Sequence, residues 1–116
     1  MKDNAVEVKS KAFAIRVVRM YQFLTAEKRE FVMSKQLLRS GTSIGANIRE
    51  GTQAFSKNDF IYKMSIALKE SNETCYWLEI LHETDYLTEA QFKSLYNDSN
   101  ELLRILTSII KTAKTP

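Results

Sequence analysis

The amino-acid sequence predicts an all-α protein, an antiparallel up-down-up-down four-helix bundle that occupies residues 1–116 as a single domain. Apolar residues recur at steps of three and four along four long segments, which is the spacing of amphipathic helices. One proline and three glycines leave few turn signals for an all-β chain. The links between the segments are short and polar, so consecutive helices should lie side by side in opposite directions.

The composition is that of an ordinary folded domain and argues against several classes of protein. The single cysteine, Cys75, excludes an internal disulfide framework and a cysteine-rich metal site, and it favours a reducing, cytoplasmic location. We expect no secretory signal, and no stretch approaches the ~20 apolar residues of a membrane span. The net charge of +3 permits an anionic partner without requiring one.

The first helix is predicted by a broad apolar stripe over residues 6–24. Ala12, Ile15 and Val18 widen this stripe beyond what one buried face needs, so we expect the helix to bury more than one side. A short polar link follows, in which Thr25 is a candidate cap for the second helix.

The second helix keeps its apolar spacing over residues 33–48 and should end between residues 51 and 54. All three glycines lie in it or at its end, although Gly costs about 1 kcal/mol relative to Ala in a helix interior. The stretch lacks the lysine of a phosphate-binding loop and the spacing of a dinucleotide fingerprint. Small residues four apart let two helix backbones approach, so we interpret Gly41 and Gly45 as close-packing positions.

Capping sequences predict where the third and fourth helices begin. Residues 56–59, SKND, form a capping box with Asp in place of Glu or Gln, and residues 88–91, TEAQ, form a regular one. Apolar stripes then run over residues 60–81 and 92–110. Hydrophobic staples are predicted at both starts, between Phe55 and Phe60 and between Leu87 and Phe92.

Residues able to do chemistry are few, and none forms a recognisable catalytic or metal site. His82 is the only histidine, so the second Glu-x-x-His motif of a di-iron bundle is impossible and a Ser-His-Asp triad would be accidental. We interpret Glu79 and His82 as a surface pair near a helix end and Cys75 as a small core residue. We therefore expect no enzymatic activity, no metal and no cofactor.

Two further polar or aromatic features concern packing. Asn47 falls on or beside the apolar stripe of the second helix and is expected to fix register through hydrogen bonds. Tyr76 and Trp77 are adjacent on the third helix and cannot both face the same core. One of them should cover a partner subunit or lie half exposed, as Tyr and Trp often do at interfaces.

Basic residues recur on the polar side of the first two helices. Taken singly, such residues are typical of a solvated helix face. Taken together, they are candidates for a belt that contacts nucleic-acid phosphates without reading sequence. The members of this basic belt are Lys9, Lys11, Arg16, Arg19, Lys35, Arg39 and Arg49.

The run QLLRSGTSIGANIRE, residues 36–50, resembles the signature of the bacterial four-helix-bundle proteins encoded in 23S ribosomal RNA intervening sequences. Residues 56–60, SKNDF, residues 63–74, KMSIALKESNET, and residues 76–79, YWLE, are similar too. The resemblance implies structural roles for the polar positions that the family shares, here Gln36, Ser43, Asn47, Glu50 and Glu73.

The same resemblance implies a four-helix bundle without enzymatic activity. Characterised relatives form ring-shaped homopentamers, and one, the accessory protein of diversity-generating retroelements, binds nucleic acid and a reverse transcriptase through a basic surface. We therefore expect a homo-oligomer, a pentamer on this resemblance, that binds RNA or DNA with little sequence preference. The alternative is an adaptor whose partner is another protein. A metal-dependent bundle enzyme is the least favoured class.

Overall fold

The computed structural model describes the backbone of residues 3–116 and the side chains from Ala5 onward. This part of the chain forms four helices, α1 (Asp3–Ala26), α2 (Met33–Thr52), α3 (Lys57–Glu83) and α4 (Glu89–Lys114). Each helix packs against the next, and α1 also packs against α4. The result is the predicted antiparallel up-down-up-down bundle, a rod of 48 × 21 × 20 Å.

The order of packing places α1 and α3 at diagonally opposite corners of the bundle. Both pack on α2 and on α4, and the boundary between α1 and α4 is the loosest of the four. Apolar side chains from all four helices meet along the axis of the rod. The largest fully buried ones are Phe13, Leu24, Leu37, Ile44, Ile48, Met64, Leu78, Leu81, Leu102 and Leu106.

Small polar side chains cross the middle of this core. The hydroxyl of Thr74 donates to Ser40 Oγ at 3.0 Å and joins α3 to α2. The thiol of Cys75 donates to Ser99 Oγ at 3.3 Å, and the Ser99 hydroxyl donates to the carbonyl of Ser71 at 3.3 Å, which joins α3 to α4. These buried bonds are satisfied in one register only, so they specify how α3 lies against its neighbours. Cys75 is buried, as predicted.

The start of α2 differs from the prediction. Thr25 lies inside α1, where its hydroxyl donates to the carbonyl of Tyr21 at 2.9 Å. The carboxylate of Glu30 instead accepts hydrogen bonds from the backbone amides of residues 32–34, at 3.1, 3.0 and 2.7 Å. Burial alone would raise the pKa of Glu30, but these hydrogen bonds outweigh burial and hold the pKa below its ordinary value. Val32 holds the N-cap position and makes no capping bond with its own side chain, so the Glu30 carboxylate satisfies the first amides of α2 in its place.

Both predicted capping sequences begin their helices. Ser56 Oγ accepts from the amide of Asp59 at 3.1 Å, and Thr88 Oγ1 accepts from the amide of Gln91 at 3.1 Å. The side chain of Gln91 accepts in turn from the amide of Thr88 at 2.9 Å, which completes the box at α4.

Of the two predicted hydrophobic staples, the one before α4 is formed and the one before α3 is not. Before α4, Leu87 is buried and Phe92 packs against the core. Before α3, Phe60 packs against the core while Phe55 is fully exposed, so the staple predicted there is wrong. The turn after α2 directs the Phe55 side chain into solvent rather than back onto the helix.

The glycines of α2 face its neighbours. A Cβ atom added to Gly41 would lie 2.8 Å from both methyl carbons of Val17 on α1. A Cβ atom added to Gly45 would lie 3.3 Å from Ser10 Oγ and 3.4 Å from the Ser10 carbonyl group. The missing side chains thus let α1 and α2 approach closely, and the buried Gly51 faces α3 in the same manner.

Candidate nucleic-acid interface

Two members of the basic belt lie at the boundary between α1 and α4 and are paired there with acids. The ammonium of Lys9 is 3.3 Å from the carboxylate of Glu101. The guanidinium of Arg16 pairs with the carboxylate of Asp98. Such exposed pairs contribute little to stability, but each acid compensates its neighbouring cation locally. Lys9 and Arg16 therefore present little uncompensated positive charge.

A third member of the belt, Arg39, joins α2 to α3. Its guanidinium lies 3.3 Å from Glu70 and also pairs with Glu73. Glu73 accepts a further hydrogen bond from the indole nitrogen of Trp77 at 3.0 Å. The pKa of Glu73 is lowered by the bond from Trp77 and by Arg39, against an opposing effect of burial. Arg39 and Glu73 form a fixed connection between two helices.

The other four members of the belt have exposed or partly exposed cationic groups that form no ion pair with any side chain from Ala5 onward. The nearest partner of Arg19 is the uncharged side chain of Gln22, at 3.4 Å. Lys35 projects from the exposed side of α2. Lys11 of α1 and Arg49 of α2 both line a groove at the boundary between these two helices. The seven predicted cations are therefore divided between different boundaries and do not form one continuous belt.

The groove at the boundary between α1 and α2 has a volume of about 330 Å³, and Lys11 and Arg49 line it. Its remaining wall is built from small side chains and two acids of the same helices. The lining residues are Glu7, Lys11, Ala14, Thr42, Gly45, Ala46, Arg49 and Glu50.

The charge of the chain is distributed unevenly between its halves. Residues 1–52 contain ten basic and five acidic side chains, whereas residues 53–116 contain seven basic and nine acidic ones. The half that contains α1 and α2 is therefore basic, and the half that contains α3 and α4 is slightly acidic. An anionic partner is attracted to the first half and not to the second.

Most of the polar residues to which the family resemblance assigns structural roles make contacts within their own helix. Ser43 Oγ donates to the carbonyl of Arg39 at 2.6 Å, and the amide of Asn47 donates to the carbonyl of Ser43 at 2.8 Å. Gln36 accepts from Arg39 at 3.4 Å, so these three positions bond within α2. The two glutamates differ, because they form contacts between helices. Glu50 reaches Lys63 of α3 at 2.9 Å, and Glu73 pairs with Arg39 of α2.

The expected pair of Glu79 and His82 is not formed, because each side chain finds its partner on α4. Glu79 accepts from the hydroxyl of Tyr96 at 2.9 Å, which raises the pKa of that tyrosine. His82 Nε2 lies 2.9 Å from Glu89, and its ring stacks on Phe92 with 4.3 Å between centroids. Across the described side chains, no group of three or more His, Cys, Asp or Glu residues could hold a metal ion.

Two apolar faces point outward from the diagonal corners of the bundle. On α1, Val8 is 67% and Ile15 is 52% exposed, with Ala12 between them; these three residues are the α1 outer face. On α3, Tyr62 is 61% and Tyr76 is 54% exposed.

The α3 outer face is completed by partly buried Ile66 and Ile80, which share the helical spacing of the two tyrosines. Trp77 is partly buried beside the core, so the predicted division between Tyr76 and Trp77 is confirmed. No helix in residues 3–116 is both long and apolar enough to cross a membrane.

Comparison with known proteins relates the chain to one family. The sequence model described as 23S rRNA-intervening sequence protein matches residues 2–108. The crystal structure at 1.70 Å resolution of a protein of unknown function from the S23 ribosomal protein family of Bacteroides thetaiotaomicron VPI-5482 is similar, with 62% sequence identity and a TM-score of 0.94. That similarity covers 96% of this chain and 99% of the other. No protein with a curated description matches. The chain belongs to the 23S rRNA-intervening sequence protein family.

Proposed function

We propose that this protein is a cytoplasmic, non-enzymatic homo-oligomer, a pentamer, that binds RNA or DNA without sequence preference through the basic surface of α1 and α2. The observation that supports this proposal best is the sorting of charge. Three cations of the basic belt, Lys9, Arg16 and Arg39, are paired with acids of α3 or α4. The other four, Lys11, Arg19, Lys35 and Arg49, are exposed and form no ion pair with the described side chains. Phosphate contacts need uncompensated cations.

The outer faces of α1 and α3 support the oligomeric part of the proposal. Apolar residues cover more of the circumference of these two helices than of α2 and α4, which are clearly amphipathic. Exposed valine, isoleucine and tyrosine side chains of this kind are typical of an interface. The two faces lie on opposite corners, so the α1 outer face of one copy can pack on the α3 outer face of the next.

Charge favours this head-to-tail contact over a symmetric one. A contact between two α1 outer faces would bring two basic halves together, whereas α1 against α3 brings a basic half against a slightly acidic one. Repeating a head-to-tail contact produces a ring when the rotation closes. A ring also repeats the basic α1–α2 surface, and several weak phosphate contacts on one particle add up through avidity.

The nucleic-acid part of the proposal is tested by binding at several salt concentrations. Unrelated RNA and DNA oligonucleotides are titrated with the protein between about 50 and 200 mM salt. We expect similar affinities for all sequences of one length, and a logarithm of affinity that falls linearly with the logarithm of salt concentration. Binding that is unchanged between low and high salt, or confined to one sequence, would contradict the proposal.

The head-to-tail contact is tested by mixing two variants. Ile15→Asp disables the α1 outer face and Tyr76→Asp disables the α3 outer face, while Thr107→Asp on the exposed side of α4 is the matched control. We expect each of the first two variants to be monomeric alone and their equimolar mixture to form dimers, because one intact contact remains. A Tyr76→Asp variant that keeps the mass of the wild type would show that α3 takes no part.

A protein-binding adaptor is the alternative, and the exposed aromatic residues of the links favour it. Phe31 in the first link and Phe55 in the second are exposed and lie outside both outer faces. Aromatic side chains in such positions are common anchors for protein partners. A partner that remains bound after nuclease treatment and is lost in Phe55→Ser would support the adaptor.

A further inference from the structure

We propose that the groove between α1 and α2 is a phosphate-binding site in which Lys11 and Arg49 hold the phosphate. This inference deepens the proposed function and rests on it for the source of the phosphate, a diester of a bound polynucleotide. It assigns the contact to one place on the basic half, where the sequence predicts a belt of seven residues.

The groove is open because small residues line it. Ala14, Gly45 and Ala46 provide no side chain long enough to fill the space between the two helices. The close approach of Gly45 to Ser10 brings the helices together beneath the groove. Its volume of about 330 Å³ is at the lower end of the range for sites that take a small ligand or one group of a larger one.

The charges in the groove leave the two cations available. Of the two acids that line it, Glu50 pairs with Lys63 on α3 at 2.9 Å. Glu7 accepts a hydrogen bond from the hydroxyl of Thr52 at 2.8 Å. The lining itself contains two cations and two carboxylates. Because Glu50 is paired with Lys63, only Glu7 remains to offset the two cations, and the surroundings of the groove carry one excess positive charge when Lys63 is counted.

The two cations suit a phosphate group in complementary ways. The guanidinium of Arg49 offers parallel N–H donors to two phosphate oxygens, and the ammonium of Lys11 offers a mobile point charge from the opposite helix. Both side chains are exposed, so a long polynucleotide reaches them without any rearrangement of the bundle. By contrast, Lys9 and Arg16 would have to release Glu101 and Asp98 first.

The test compares two double variants of equal charge. Lys11→Gln with Arg49→Gln removes the proposed site, and Lys9→Gln with Arg16→Gln removes the same charge from the compensated boundary. With a single-stranded RNA oligonucleotide as the probe, the groove variant should lose affinity, and its salt slope should fall by about 1 for each phosphate contact removed. The matched variant should keep the slope of the wild type. Circular dichroism checks that both variants fold.

A third variant acts in the opposite direction. Glu7→Gln removes the carboxylate from the groove, so it should tighten RNA binding, a gain that misfolding does not produce. Equal losses of affinity in the two double variants would overturn the phosphate site while leaving nucleic-acid binding intact, and so would a Glu7→Gln variant that binds no more tightly than the wild type.

A titration with inorganic phosphate shows whether the phosphate site is wrong or only the proposed nucleic-acid binding is wrong. If the wild type binds no RNA, the proposed function fails, and titration with phosphate still reports on the groove. The backbone amide resonances of Gly45 and Ala46 should then shift in the wild type and stay fixed in the groove double variant. Absence of those shifts together with absence of RNA binding would overturn the site as well.

Discussion

Replacement of Gly41 by alanine tests whether the glycines of α2 exist to let α1 approach. The added Cβ would lie 2.8 Å from both methyl carbons of Val17 and 3.2 Å from its Cβ. These distances are well inside the ~3.5–4.0 Å at which carbon atoms attract one another. Val17 is fully buried, so its methyl groups have no free space to enter and α1 itself must move. At Gly45 the same change brings a contact of 3.3 Å with Ser10, which is much milder.

The magnitude follows from two opposing terms. Overpacking a well-packed core costs about 1–3 kcal/mol. Replacing a glycine in a helix interior by alanine stabilises the helix by about 1 kcal/mol. Gly41→Ala should therefore lower the free energy of unfolding by roughly 0–2 kcal/mol. At Gly45 the closest contact would be 3.3 Å, so overpacking costs less there. The effect of Gly45→Ala should therefore range from a smaller loss than that of Gly41→Ala to a gain of up to about 1 kcal/mol.

The assay is thermal and urea unfolding followed by circular dichroism, at one protomer concentration because association adds to apparent stability. A difference of 1 kcal/mol corresponds to a shift of roughly 4 °C in Tm for a domain of this size. Val17→Ala in the Gly41→Ala background should recover part of the loss, because the clashing methyl groups are gone. The reasoning is refuted if Gly41→Ala is as stable as Gly45→Ala, or if the Val17 and Gly41 effects simply add.

Three further predictions concern single side chains. Glu30→Gln keeps an acceptor oxygen but loses the charge that strengthens the bonds to the amides, so it should cost about 1 kcal/mol at neutral pH. Because the pKa of Glu30 is lowered in the fold, the difference from wild type should shrink as the pH falls below the ordinary value of 4.5, and a constant difference in denaturant titrations would contradict this. Glu73→Ala should alter the fluorescence of Trp77, the only tryptophan, because its indole loses the bonded carboxylate; an identical spectrum would show that the bond is absent in solution. The thiol of Cys75, whose pKa is raised by burial, should react with a thiol reagent only on unfolding, and rapid labelling of the folded protein would contradict its placement.

The starts of α3 and α4 could be predicted from the sequence because a capping box involves residues only three positions apart. The cap of α2 could not be predicted in this way, because Glu30 reaches forward from a link whose path depends on Arg29 in a left-handed conformation, with φ of 55°. Phe55 failed as a staple for a related reason, since the direction of the preceding turn decides where its side chain points.

The sequence predicted which basic residues belong to the candidate site, but not where in the bundle the unpaired ones come together. Arg16 and Asp98 are 82 positions apart in the sequence, and their pairing follows only once α4 is known to lie beside α1. The same holds for Arg39, which meets its acids on α3. Lys11 and Arg49 have no such partner among the described side chains, and nothing in their local sequence distinguishes them from the compensated cations.

The central claim is that the outer faces of α1 and α3 join copies of this chain into a closed ring. Native mass spectrometry of the wild-type protein at low salt tests it most directly. We expect a single species of five times the 13.4 kDa of one chain, stable on dilution. A protein that has the mass of one chain at every accessible concentration would contradict the account, because both apolar faces would then be exposed without a partner.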